Sequence, residues 1–153
     1  SLTVCENSYF NAIIQHYYSL AKEKNIEVEL AFDLPKDLPL PETDTAVLLG
    51  NMFENALEAC ERQTTGRRFI QAKGAIVSGN MLAITVKNSF DHEIHKVGDA
   101  FISSKRDAKG IGTESIRIIA ERYNGLAKFK INDGVFEASV LLSTQPDAPQ
   151  SDK

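Results

Sequence analysis

Asn51, Asn55, Glu58 and Arg62 are spaced by four, three and four residues, so on a helix they form one polar stripe. It runs beside an apolar stripe of Leu49, Met52, Phe53, Ala56 and Cys60. Asparagine competes with the backbone for hydrogen bonds and costs roughly half a kcal/mol against alanine inside a helix. Two of them on one face are either part of a solvated surface or a pair of hard amide oxygens, suited to magnesium beside phosphates. A second feature, Lys109-Gly110-Ile111-Gly112-Thr113, opens a later helical pattern. Glycines let a backbone approach a ligand closely, and free N–H groups at a helix start attract anions. The segment is not a P-loop, because GxxxxGK followed by Ser or Thr is absent. Nor is it a dinucleotide fingerprint, since Ser115 holds the third glycine position and a loop precedes it. Taken alone, it reads as a loop-to-helix hinge rather than a phosphate cradle.

The stretch before these glycines carries Lys96, Lys105, Arg106 and Lys109 among Asp91, Glu93, Asp99 and Asp107. Mixed charge suits a mobile lid that lays a cation on a phosphate, or a solvated loop in which no single charge has a role. His92-Glu93-Ile94-His95 is one residue short of the H-E-x-x-H zinc spacing, and no helical period supports it, so both histidines are expected on a loop surface. His16 lies on a helix beside aromatic residues and is expected to be partly buried. Cys60 continues an apolar stripe and reads as core, not nucleophile. No Ser/His/Asp or Cys/His arrangement emerges.

The elements that position these residues follow from periodicity. Phe10, Ile13, Ile14, Tyr17 and Ala21 mark a first helix, capped by Asn7 or Ser8 and stopped at Asn25. Ile26 to Phe32 alternates as a half-buried strand does. After a loop with Pro35, Pro39 and Pro41, Thr43 or Asp44 is expected to cap the second helix. Phe69 to Val77 and Met81 to Val86 read as strands joined at Ser78-Gly79-Asn80. From Asn88 to Gly112 no pattern persists, a length typical of functional or disordered loops, and disorder is expected within Asp99 to Lys109. A third helix carries Ile116, Ile119, Ala120 and Tyr123 and stops at Asn124-Gly125. Leu126 to Ile131 and Val135 to Leu142 close the chain as a hairpin around Asn132-Asp133-Gly134. This order predicts an α+β fold: a two-layer α/β sandwich with a mostly antiparallel, mixed sheet and three helices on one face.

Composition narrows the function classes. The 153 residues suffice for one domain, and the 42% apolar and 25% charged content is that of a globular chain. A net charge of -4 supplies no electrostatic footprint for nucleic acid as a main partner. No apolar run approaches the ~20 residues that span a bilayer. Cys5 and Cys60 lie far apart with no zinc-like partners, which fits reduced thiols in a cytosolic domain. Residues 145–153, with two prolines, are expected to be a flexible tail. The abrupt start at Ser1 is expected to reflect a fragment of a longer protein.

Leu49 to Cys60 together with Lys109 to Ile116 resemble the N box and G2 box of the GHKL ATPase superfamily, which includes histidine kinases, gyrase, Hsp90 chaperones and MutL repair proteins. Glu23-Lys24-Asn25-Ile26 before a strand, the Leu-Pro loop, the E-N-A-x-E-A-C string and the E-R-Y-N-G stop are similar to the ATP-binding domain of Agr-type quorum-sensing histidine kinases. The resemblance spans about residues 8–142. It implies a Bergerat-type ATP-binding domain over residues 1–144 with an ATP lid at about 89–112. It also implies roles. Asn55 would give an oxygen to Mg2+ on the ATP phosphates, and Asn51 would contact phosphates or ribose. Lys105 would reach the γ-phosphate, and Gly110, Ile111 and Gly112 would bring backbone N–H groups onto the phosphates. Glu54 would orient an incoming imidazole. Such groups offer the positioning and charge neutralisation that phosphoryl transfer needs.

Two departures stand out. The superfamily's G1 box is D-x-G-x-G, whose Asp accepts a bond from the adenine amino group. Here Asn88 takes that place, in Asn88-Ser89-Phe90, without the glycines, and Thr113 replaces a common Leu. No histidine here sits in a phosphoacceptor box, so the resemblance implies an acceptor on an upstream dimerisation domain outside the chain. The implied whole is a membrane-anchored homodimeric receptor with this domain in the cytoplasm and a response regulator as the next partner. The isolated domain is expected to bind ATP without phosphorylating itself. The alternatives are a degenerate module acting through protein contacts and a serine kinase of the same superfamily. Gyrase-like hydrolysis is disfavoured, because Asn51 stands where that route has its acidic base.

Overall fold

The computed structural model describes residues 3–91, 94–97, 100–103 and 110–145. Asn7 starts helix α1 (Ser8–Glu23) by accepting the Phe10 N–H at 2.9 Å. Phe10, Ile14, Tyr17 and Ala21 are its buried face. Asn25 ends it in the left-handed region, φ 59, while the Ile26 N–H returns to the Ala21 carbonyl at 3.0 Å. His16 is exposed and meets Tyr17 edge-on, which corrects the expected partial burial: it lies two residues beyond Ile14, off the core-facing stripe.

Strand β1 (Glu27–Asp33) leads through the proline loop to α2 (Glu42–Arg62). This helix starts behind Pro41, without a side-chain cap, rather than at Thr43 or Asp44. The Thr45 hydroxyl instead donates to the Pro41 carbonyl at 3.0 Å, and the Asp44 carboxylate is drawn to a tertiary partner described below. Then come β2 (Phe69–Val77), β3 (Met81–Ser89), β4 (Ile94–Val97), β5 (Ala100–Ser103), α3 (Gly110–Arg122), β6 (Leu126–Asn132) and β7 (Val135–Ser143). The hairpin β4–β5, in register from Ile94↔Ser103 to Val97↔Ala100, lies where the sequence shows no persistent pattern. Four residues are too few for alternation to show. Ile94 and His95 thus lie on a strand; His92, Glu93, most of the expected disordered stretch and the tail beyond Gln145 lie outside the described residues.

The main sheet has the order β1-β2-β3-β7-β6, parallel between β1 and β2 and antiparallel elsewhere. This is the expected mixed sheet. Ile70, Ala72, Leu82, Ile84, Val86, Ala138, Val140 and Leu142 turn inward against the helices, with Leu48, Leu49, Met52, Phe53 and Ile116 opposite. The other sheet face is polar: Gln71 donates to Glu29 at 3.1 Å, and the Thr85 and Ser139 hydroxyls meet at 3.2 Å. Asp133 (φ 52) and Gly134 (φ 74) form the primed turn between β6 and β7. Gly125 is required for a different reason. A Cβ there would sit 1.6 Å from the Leu141 carbonyl oxygen, so only glycine lets the α3–β6 turn lie on β7. Among the described residues no helix is long and apolar enough to cross a membrane.

Candidate functional site

Helix α2 returns between two parallel strands and so runs antiparallel to both. Helix α3 turns tightly into β6, which runs opposite to β1 and β2. The two helices are therefore antiparallel neighbours. Asp44 fastens one end of the pair: it accepts from Arg122 Nη1 at 2.8 Å and from the Tyr123 hydroxyl. Burial, then the Asp44 carboxylate, pushes that phenol up to about 12, so it remains a donor. Asp44 stands two turns before Asn51, on the same helix face. At about 1.5 Å rise per residue, the span from Arg122 back to Gly110 is about 18 Å, which carries α2 from Asp44 to Ala56. The N-terminal end of α3, with Gly110, Ile111 and Gly112, thus lies level with Asn55. It is the positive end of the helix dipole.

Asn51 and Asn55 are half-buried, and neither side chain hydrogen-bonds a described residue. Other asparagines differ: Asn7 caps α1, and Asn11 Oδ1 accepts the Val4 N–H at 2.6 Å. The predicted stripe is real, since Glu58 and Arg62 are half-buried beside them. Glu54 is not part of it. One residue from Asn55 is about 100° round a helix, and Tyr17 of α1 donates to Glu54 Oε2 at 2.9 Å. The Tyr17 ring stacks on Phe53 with centroids 5.3 Å apart. Burial first, then Glu54, pushes its hydroxyl up to about 12.

Asn88 ends the inward-facing run of β3 and is buried. Its Nδ2 donates to the Ser89 carbonyl at 3.0 Å. Cys60, in the last turn of α2, places its thiol 3.7 Å from the Ser89 carbonyl and hydroxyl oxygens, so Asn88 lies about one turn beyond Asn55 along α2. The thiol is buried and its pKa is raised by desolvation, as a core cysteine's is. Asp91 clasps the α2–β2 loop. Its Oδ2 accepts the Thr64 and Thr65 N–H groups at 2.8 and 3.0 Å, which hold its carboxyl below the ordinary 3.8.

By level along α2, Asn55 stands beside the start of α3, Asn51 about one turn before it and Asn88 about one turn beyond, while Glu54 bonds toward α1. Lys105 lies outside the described residues. Sequence reasoning missed Asp44, Tyr123, Gln63 and Ser89. Asp44 was within reach, because its seven-residue spacing from Asn51 extends the polar stripe.

Residues 40–143 match the family model of the GHKL domain, and the chain belongs to that family. A search of the curated proteins finds no match. Among solved structures, the catalytic domain of histidine kinase ThkA superposes with a TM-score of 0.66 at 17% identity, over 92% of this chain and 95% of that one. The Erythrobacter litoralis EL346 blue-light activated histidine kinase gives 0.63 at 11% identity, over 91% and 42%. Full-length ShkA in complex with AMPPNP gives 0.65 at 16% identity, over 91% and 30%. The chain thus spans under half the length of these two longer kinases and nearly all of the ThkA domain. At these identities the likeness is one of fold: three helices on a five-stranded mixed sheet, as in histidine kinase catalytic domains.

Proposed function

We propose that the chain is the ATP-binding catalytic domain of a sensor histidine kinase. In the parent protein it would pass the γ-phosphoryl group of ATP to a histidine on an upstream dimerisation domain, and a response regulator would then take the phosphate. One observation carries this reading: two half-buried asparagine amides one turn apart bond no described residue, and the second, Asn55, stands level with the positive end of a neighbouring helix. GHKL membership supports it, as does the ATP analogue named in the ShkA complex.

The residues fit a magnesium nucleotide. Asn55 would hold the ion through its amide oxygen, with phosphate oxygens as further ligands. The ion would neutralise phosphate charge as the γ-phosphoryl group leaves. Asn51 would bind phosphate or ribose, Asn88 would accept from the adenine amino group, and the N–H groups of Gly110, Ile111 and Gly112 would face the phosphates. Lys105 would supply a cation to the γ-phosphate. Glu54 keeps the part of orienting the acceptor imidazole from the α1 side. The E-N-A-x-E-A-C string favours the Agr-type subgroup, with the domain cytoplasmic beneath a membrane-anchored homodimeric receptor.

Calorimetric titration of ATP and ADP, with Mg2+ and then with a chelator, tests the proposal. Saturable binding weakened by chelation supports it. Absence of binding at millimolar nucleotide favours a second reading, a module that acts through protein contacts. The Asn at the G1 position and its missing glycines motivate that second reading.

A further inference from the structure

The two free edges of the main sheet carry opposite charge, and we infer from them that a second copy of this chain lays its β1 along β6 of the first, carrying the sheet from one copy into the next. Among the described residues β1 pairs only with β2 and β6 only with β7, so each leaves one row of backbone N–H and C=O groups open. Such an edge is ordinarily defended by a proline, a bulge or a charge pointing at the core. These two strands have none of the three. β1 keeps unbroken register from Glu27 to Asp33 and β6 from Leu126 to Asn132, seven residues each. Their core-side positions are apolar: Val28, Leu30 and Phe32 on β1, Ala127, Phe129 and Ile131 on β6. Val28, Leu30 and Phe129 are only half-buried and Ile131 is 43% exposed, as residues at the rim of a core are when no further strand covers them.

The outer-face residues decide which edges can meet. β1 presents Glu27, Glu29 and Asp33 there, and β6 presents Lys128 and Lys130, all exposed. Arg67 already holds Glu27 at 2.7 Å, which leaves Glu29 and Asp33 as the acids without a cation among the described residues. Two β1 edges would set acid against acid, and two β6 edges lysine against lysine, both unfavourable. Only β1 against β6 sets acid against lysine. Direction fits as well. β1 and β2 are parallel, and three antiparallel steps through β3, β7 and β6 leave β6 antiparallel to β1. A copy shifted sideways in the sheet plane therefore offers β1 to β6 in the antiparallel sense, with both helix layers on one side. Full overlap of the two strands puts Lys130 opposite Glu29 and Lys128 diagonal to Glu29 and Asp33, while Ile131 meets Val28 and Phe129 meets Leu30 on the core side. The contact is heterologous, so each pair keeps one edge of either kind free and grows as an open row with concentration.

The test is sedimentation equilibrium of the wild-type chain, K128E/K130E, E29K/D33K and an equimolar mixture of the two variants, at about 50 mM and about 500 mM salt. At the lower salt, wild type is expected to move from the mass of one chain toward that of two between about 10 µM and about 1 mM, the range of a small edge contact. The higher salt should return it to one chain. Each variant alone has like charge on both edges and should stay a single chain throughout. The mixture should regain the association, because the acidified β6 of one variant fits the basic β1 of the other. Mixing cannot cure a folding defect, so that recovery reads the edges themselves. A wild type that stays a single chain at the highest concentration and lower salt overturns the inference. So does association that ignores salt, a variant that associates as wild type does, or a mixture as inert as its parts. The inference stands apart from the nucleotide reading, which calorimetry tests separately.

Discussion

A half-buried amide that bonds nothing in its own chain forfeits about 1–3 kcal/mol if water is kept from it, so it persists where something else supplies the partner. Asn51 and Asn55 are half-buried and bond no described residue. Asn55→Ala should abolish Mg2+-dependent ATP binding while shifting Tm by only a few degrees, about 1 kcal/mol or less, since alanine is the better helix former. Unchanged affinity in that variant would remove the central site assignment. Asp91 makes a different prediction. Its folded pKa lies below its unfolded value, so its stabilising grip on Thr64 and Thr65 is present above the ordinary 3.8 and lost as pH falls through the lower folded value. Asp91→Asn should flatten that acid limb in pH-dependent thermal melts and leave stability at pH 7 slightly reduced. The asparagine pair was legible from spacing, because helix periodicity is local. Gln63 and Ser89 were not: they are 26 residues apart, and only the pairing of β2 with β3 brings them within bonding distance.

At the scale of elements, the α2–α3 pair is fastened by Asp44 on Tyr123 and Arg122. The Arg122 bond is exposed and contributes little alone. The phenol on a half-buried carboxylate is the stronger link. Tyr123→Phe should cost about 1 kcal/mol of stability, within the range for a bond to a charged group that is partly solvated. It should also weaken ATP several-fold, read by the same titration; a stability loss with affinity untouched would separate the clasp from the site. Gly125→Ala should cost more than about 3 kcal/mol, because its Cβ would lie inside the Leu141 carbonyl and β7 would have to move. Urea denaturation measures that directly. Most elements announced themselves by period and turn residues. The start of α2 did not, since Asp44 looked like a cap until a tertiary partner claimed it, and β4–β5 did not, since each strand has only four residues.

For the molecule as a whole, the order of helical and alternating segments was enough to foresee a mixed sheet under three helices. The parallel β1–β2 pair requires a crossover, and the one helix between those strands, α2, is the helix that bears both asparagines. If ATP binds the folded chain and not the unfolded one, melting in Mg-ATP at about a hundred times Kd should reveal about 2.7 kcal/mol of added stability. A Tm that ignores Mg-ATP would contradict the proposed function at this scale. The clasp at Asp44 has a mechanical consequence. A rod about 18 Å long, held at one end, displaces its free end by about 1.6 Å for each 5° of tilt. Tyr123 is the fulcrum and Gly110 the far tip. Ile116, Ile119 and Ala120, buried along that rod, oppose any such tilt, so the clasp and the core act as two supports that together set where the glycines stand beside Asn55.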